Sequence, residues 1–373
     1  MHWCNRTPLP PTRTVGIKPH PSTRILAECR TKITLRVDLM PKAALPVVTV
    51  VMPAFNSARH LRDSVGSLRA QTFEGWECVI VDDGSTDDTP SLLAELEREE
   101  PRIRVKRQQN AGPAIARNLA IESARGEFIQ FLDADDVIPE WKLAVHVDHL
   151  RTNLDVDIVH GPSMYFDDGA PDVLRNAIHD LDAPEPARVD GSGKPIVDLL
   201  LRHNTMTIEA PLTRRVVFDE LGSFDRDLRR ITDWEFWLRC AIAGKRFRYL
   251  PADEPVALIR VHNASLSHDE TVMRLVEIEM RHKLTQQLPP GTTRDLNASL
   301  LAEVSANTGI ALGLAGDLPR GLRLLIPAAI SARDRSWLMW SVALLGSPLP
   351  PVHNRLMERR YGRGRGQSGD GGT

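Results

Sequence analysis

The chain has little of what would place it in a bilayer, in a metal ribbon or on nucleic acid. None of its 373 residues lies in an apolar run approaching the roughly 18 to 20 that cross a membrane. The best candidate, Trp337 to Leu345, is about half that length. Cysteine is scarce: Cys4, Cys29, Cys78 and Cys240 lie far apart and form no C-x-x-C pair. That argues against a zinc ribbon or redox dithiol and suits a reducing cytoplasm, although four thiols retain the option of pairing. Charge of one sign is also lacking. A net charge of −2 argues against a general nucleic-acid binder. The first 45 residues hold many Pro, Thr and Arg but no apolar stretch ahead of a small-residue cleavage site, so no secretory signal is read there. Met40 is an alternative start, and residues 1–44 are expected to be disordered. What remains, 42% hydrophobic and 26% charged, is ordinary globular composition, with length for one large domain plus additions, or for two.

A strand-helix alternation begins at Val47. Val47 to Met52 is a β-branched apolar run and reads as a strand. Asn56 and Ser57 follow as candidate caps of a helix burying Leu61, Val65 and Leu68. Trp76 to Val81 is a second strand. A helix from Thr86–Asp88 buries Leu92, Leu93 and Leu96, and Ile103 to Lys106 is a weaker third strand. Pro113 opens a helix burying Ile115 and Leu119, and Phe128 to Leu132 is strand four. The repeat predicts a mostly parallel sheet covered on both faces, with ligands bound beyond the carboxyl ends of its strands. The unusual polar residues fall there: Asn56, then Asp82 and Asp83, then Asn110, Gly112 and Arg117, then Asp133-Ala134-Asp135-Asp136. Crowded carboxylates repel one another, and a divalent cation carrying a nucleotide diphosphate would relieve that. The plainer alternative is an acidic turn capping a helix near Pro139.

Residues 162 to 195, with many Pro, Gly and Asp, read as a long irregular excursion. Short helices are expected at Ile196 to Arg202 and Val216 to Leu221, and a stronger one capped by Thr232. Strands are expected at Phe247 to Leu250 and Val256 to Val261. Beyond about residue 269 the pattern is helical, ending in a Gly/Arg-rich tail.

Four motifs stand in order: Met52-Pro53-Ala54-Phe55-Asn56, Val81-Asp82-Asp83-Gly84-Ser85-Thr86-Asp87, Asn110-Ala111-Gly112-Pro113 with Arg117-Asn118, and Phe131-Leu132-Asp133-Ala134-Asp135-Asp136. This succession, over residues 46 to 268, resembles glycosyltransferase family 2, inverting enzymes with a nucleotide-diphospho-sugar-binding GT-A fold. The resemblance implies an α/β, Rossmann-like, mostly parallel sheet flanked by helices over residues 45–268, then a helical region at 269–360 and a tail at 361–373.

The resemblance also implies roles. Pro53, Ala54 and Asn56 wall the base pocket. Asp83, with Asp82 beside it, accepts the imide N–H of uracil or thymine; helix capping is the competing use of both. Gly112 lets the backbone approach the nucleotide. Arg117 contacts the nucleotide, or is a solvated helix residue. Asp135 binds Mg2+ or Mn2+, the hard cations that suit oxygen ligands and phosphate. Asp133 meets ribose or a metal-bound water, and Ala134 and Asp136 adjoin the donor. Thr232-Asp233-Trp234-Glu235-Phe236-Trp237 resembles the helix start that carries the base. Thr232 stands where the family commonly has an acidic residue, leaving Asp233 as the group that takes the acceptor's proton. A first-turn carboxylate favoured by the helix dipole is the other reading of Asp233. Arg260-Val261-His262-Asn263 resembles the closing loop, with His262 ligating the metal or contacting diphosphate. Gly222-Ser223-Phe224-Asp225 resembles the turn before the base helix, and Asn204 and Arg214 are candidates for the acceptor cleft.

The implied partners are a nucleotide-diphospho-sugar donor, carrying UDP or dTDP, and a glycan, lipid-linked or other hydroxyl acceptor, with no nucleic acid. Processive members carry Gln-x-x-Arg-Trp and several membrane helices; the lack of both implies addition of a single sugar in the cytoplasm. Two other functions stay open: an idle nucleotide-sugar-binding relative, suggested by Thr232, and a nucleotidyltransferase, which would want a Gly-rich basic loop after strand one. From Arg320 to Arg365, nine Arg stand against Asp334 and Glu358 among apolar residues. Such helices rest on an anionic membrane, or pack on the catalytic domain with solvated arginines.

Overall fold

The computed structural model describes residues 45–177, 185–262 and 270–344. The disorder expected at 1–44 and the tail at 361–373 lie outside these residues, as does Asn263.

β1 (Val48–Ala54) and β2 (Trp76–Asp82) are buried at every position, as strands covered on both faces must be. Successive side chains alternate between two cores. Val50 and Met52 face one, with α1 (Leu61–Arg69), α2 (Thr89–Glu99) and α4 (Lys142–Thr152). Val51 faces the other, with α3 (Pro113–Ile121) and α7 (Thr232–Ile242). β3 (Ile103–Arg107) and β4 (Phe128–Phe131) complete a parallel group in the order β3-β2-β1-β4. The register sets Ala54 beside Asp82 and Asp82 beside Arg107, so these loops open at one level. The strand order reverses between β1 and β4, where open α/β sheets form a crevice.

The sheet continues through β8 (Leu212–Arg214), β5 (Ile158–His160) and β9 (Phe247–Tyr249), seven strands in all, with β8 antiparallel to both neighbours. α5 (Lys194–Arg202) and α6 (Arg215–Leu221) flank it near their expected bounds. Four particulars differ from expectation. Residues 162–177 are not irregular: β6 (Ser163–Asp167) and β7 (Ala170–Arg175) form a hairpin, and β10 (Ala257–Val261) pairs with β6 in a second sheet. Asn56 and Ser57 do not cap α1, which begins after His60; their backbones bond Ser85 and Thr89 instead. Thr232 is the first residue of α7 rather than its cap, which is Ile231. On α3 the buried positions are Ala114, Ala116, Arg117, Asn118, Ala120 and Ile121, while Ile115 and Leu119 are only partly buried.

α8 (Glu270–Gln287), α9 (Thr292–Leu314), α10 (Leu318–Ala332) and α11 (Arg335–Leu344) form the helical region. Met280 and Leu284 of α8 join the core around α7. α9 and α10 touch backbone to backbone: a Cβ on Gly309 would lie 2.6 Å from the Gly321 carbonyl oxygen, so only glycine fits there.

Candidate functional site

The β1 and β2 loops are stitched together before any ligand is considered. The Asn56 amide donates to Ser85 Oγ (2.9 Å), and the Thr86 amide donates to Asn56 Oδ1 (2.8 Å). Pro53 and Ala54 are the buried end of β1 beneath them. Asp82 is spent within its turn, accepting from the Ser85 amide at 2.9 Å and pairing with Arg107 at 3.2 Å. Asp83 gathers the next loop: Gln108 Nε2 and the Ala111 amide donate to Oδ1 (2.7 and 2.9 Å), and the Gly112 amide to Oδ2 (2.8 Å). Neither aspartate is an α2 cap; Asp87 accepts from the Thr89 amide there. A carboxylate has about four acceptor positions, so Asp83 keeps capacity for one further N–H. Gly112 turns at φ 95° with nothing within 4 Å of its Cβ position, leaving the approach to its backbone open.

Beyond β4 the acidic loop divides into two environments. Asp133 is held by Arg117, whose Nη2 lies 2.6 and 2.7 Å from its two oxygens. Arg117 is buried, so it is not a solvated helix residue. Its neighbour Asn118 bonds the amide and carbonyl of Phe224, tying α3 to the turn before α7. Asp136 is buried and accepts from the Arg260 amide at 2.7 Å. Facing it is a residue that the motifs do not reveal, Glu209. Ligand atoms of Asp133, Asp136 and Glu209 lie within 4.8 Å of one another, a group that could take a cation. Burial, then the charge of Asp133, pushes Glu209 up to about 8; burial and Glu209 raise Asp136 well above the carboxylate range. Glu209 is set by its own carbonyl, which accepts from Gln130 Nε2 (2.7 Å) and from Lys142 Nζ. Buried Gln130 and Lys142 were the available sequence signal, since polar groups in a strand and helix core need a partner.

Asp135 is the most exposed of the loop's three aspartates, with 34% of its side chain exposed against 30% for Asp133. It meets His262 Nε2 at 2.9 Å. The β10 end reaches this loop because Val137 and Leu258 exchange backbone hydrogen bonds at 3.1 and 3.0 Å. Arg260 binds the Asp135 carbonyl (2.9 Å), Asp168 (2.9 Å) and Asp63 (3.0 Å), locking hairpin, acidic loop and α1 together. His60 stacks on His262 with centroids 5.3 Å apart.

Asp233 lies in the first turn of α7, partly exposed, and accepts from Asn204 Nδ2 at 3.1 Å. Its charge acts on Arg117, Asp133 and Tyr165. Glu235 turns away to Arg239 (3.0 Å). Trp234 and Trp237 are both buried in the core rather than offered to a sugar. Arg214 does not reach a cleft; it bonds the carbonyls of Val156 and Asn153 (2.7 and 3.3 Å), stapling β8 to the end of α4.

Comparison with known proteins agrees with this frame. The model of "Glycosyl transferase family 2" matches residues 49–208. TuaG of Bacillus subtilis, named as a teichuronic acid biosynthesis glycosyltransferase, is 31% identical over 227 residues, 60% of this chain and 83% of that protein. Succinoglycan biosynthesis protein ExoU of Rhizobium meliloti is 30% identical over 234 residues, 61% of this chain and 67% of ExoU. Among solved structures, residues 1–349 of S. aureus TarS in complex with UDP-GlcNAc superpose with TM-score 0.61 at 18% identity, covering 84% of this chain and 92% of that one. The mannosyltransferase PcManGT of Pyrobaculum calidifontis, in complex with GDP-Man and Mn2+, gives TM-score 0.51 at 19% identity over 92% of this chain and 96% of its own. With the strand order reversing between β1 and β4 and TuaG matched over 83% of its length, the chain belongs to glycosyltransferase family 2 and is a glycosyltransferase.

Proposed function

We propose that this enzyme transfers a single sugar, with inversion, from a UDP- or dTDP-sugar to a hydroxyl of a glycan or lipid-linked acceptor in surface polysaccharide or glycoconjugate synthesis. The observation that carries the reading is a partly exposed carboxylate, Asp233, in the first turn of α7, held by Asn204 at 3.1 Å. The names of TuaG and ExoU support the polysaccharide setting, and the UDP-GlcNAc complex of TarS supports a uridine donor. Asp83 takes the base imide with its remaining acceptor position, while Pro53, Ala54 and Asn56 wall the base. Asp133 meets the ribose, and Asp136, Ala134 and Glu209 line the sugar, accepting its hydroxyls.

Asp135 and His262 would hold Mg2+ or Mn2+: an oxygen and a nitrogen donor already 2.9 Å apart at the open edge of the loop. Asp133 fits less well, because Arg117 already neutralises it. When bound, the cation offsets charge on the leaving diphosphate. Asp233 takes the acceptor proton as the hydroxyl attacks the anomeric carbon from the face opposite the diphosphate; Asn204 fixes which carboxylate oxygen points inward. Thr232, buried where the family commonly has an acid, leaves Asp233 without a second carboxylate beside it in sequence.

Asp233→Asn tests this directly. Donor affinity by calorimetry stays within about twofold, while transfer falls by about 10²- to 10⁴-fold, the range of general-base catalysis. Transfer near the wild-type rate would assign the base to another residue.

A further inference from the structure

α10 and α11 turn their small and aromatic residues inward and leave a second apolar set outside. Gly321, Leu325, Ala328 and Ala329 of α10, with Trp337 of α11, are buried. The inner face is therefore already satisfied. Yet Ile326, Ile330, Leu338 and Val342 are exposed, Ile330 to 63%. Arg323, Ile326 and Ile330 fall at spacings of three and four on α10, and Arg335, Leu338 and Val342 do so on α11, one outward stripe per helix. Among the described residues 317–344 the acids are Asp317 and Asp334, both engaged at helix starts. Asp317 accepts from the Arg320 amide at 3.3 Å, and Asp334 from the Ser336 amide at 2.8 Å. Arg320, Arg323, Arg333 and Arg335 are all exposed. Residues 345–373 add five Arg against Glu358 and Asp370.

We infer that α10 and α11 form a docking face for an anionic lipid bilayer, lying in its interface. No helix among the described residues is long and apolar enough to cross a membrane. A stripe of aliphatic side chains edged by arginine instead suits the headgroup boundary, where apolar burial and attraction to anionic headgroups act together. A second copy of this chain is a poorer occupant, because a two-fold contact would set these arginines against their own equivalents. The inference stands apart from the transfer chemistry.

Flotation of the full chain with vesicles at low salt tests it. Vesicles of phosphatidylcholine mixed with phosphatidylglycerol carry the protein up; pure phosphatidylcholine does not, and high salt releases it. Each basic residue near such a surface contributes about fivefold, so Arg323→Gln with Arg335→Gln weakens binding about 25-fold. Ile326→Ser with Ile330→Ser weakens it about tenfold, with thermal melting and donor turnover unchanged because both positions are exposed. Failure to float with phosphatidylglycerol, or flotation that neither double variant alters, overturns the inference. So does a dimer in light scattering that Ile326→Ser with Ile330→Ser dissociates, which would make a second copy the occupant.

Discussion

Asp135 and Asp136 are neighbours in sequence and opposites in environment. Asp135 meets His262 at the accessible edge, whereas Asp136 is enclosed with Glu209 and an Arg260 amide. This separation predicts separable effects on metal binding. Asp135→Ala should weaken Mn2+ binding in the presence of UDP at least tenfold, followed by electron paramagnetic resonance, while Glu209→Gln leaves it within about twofold. The reverse pattern would move the cation to the buried group. Lys142 offers a second residue-level test. Burial lowers its amine from 10.5 to about 7. Between those values the unfolded chain holds a proton that the folded chain lacks, so stability rises with pH across that window and the rise is absent below it. Lys142→Met should flatten urea-denaturation stability between about pH 7 and 10.5; an unchanged slope would mean that the amine stays charged when buried.

At the scale of elements, α7, the helix of the proposed base Asp233, is held from outside the parallel half of the sheet. Arg281 on α8 is fully buried, donates to the Leu201 carbonyl at 2.8 Å and lies over the Trp234 ring at 5.4 Å. Trp234 in turn donates to the Leu200 carbonyl at 2.6 Å. The end of α5, which leads into Asn204, is thus tied to α7 and α8 together. Arg281→Met should cost about 2–3 kcal/mol in denaturant stability, as a lost charged hydrogen bond with an orphaned carbonyl does. It should also lower kcat with the donor KM nearly unchanged, because the damage falls on the base side. A rise in donor KM alone would place the effect in the nucleotide pocket.

For the whole molecule, the parallel half was legible because its evidence is local: apolar runs of strand length, helices between them, and polar residues at each strand's carboxyl end. The β6–β7 hairpin was hidden because Ser163 to Asp167 is only partly buried and finds its partner, β10, about ninety residues later. Antiparallel β8 was hidden likewise, a three-residue strand fixed by pairing with β4 and β5. The same distance concealed Glu209, whose side chain meets Asp136 while its carbonyl is held by Gln130 and Lys142. Arg117 was ambiguous on its helix until Asp133 lay beside it. Asp233, by contrast, was marked by the resemblance of the helix start that carries it, since a first-turn carboxylate alone is equally a dipole-favoured residue. The account's central claim, a carboxylate opposite the donor that drives inversion, is tested most directly by the anomeric configuration of the newly made linkage. Proton NMR of product formed from an α-linked nucleotide sugar should show the large H1–H2 coupling of a β-gluco-type linkage. A small coupling, reporting retained α configuration, would contradict it.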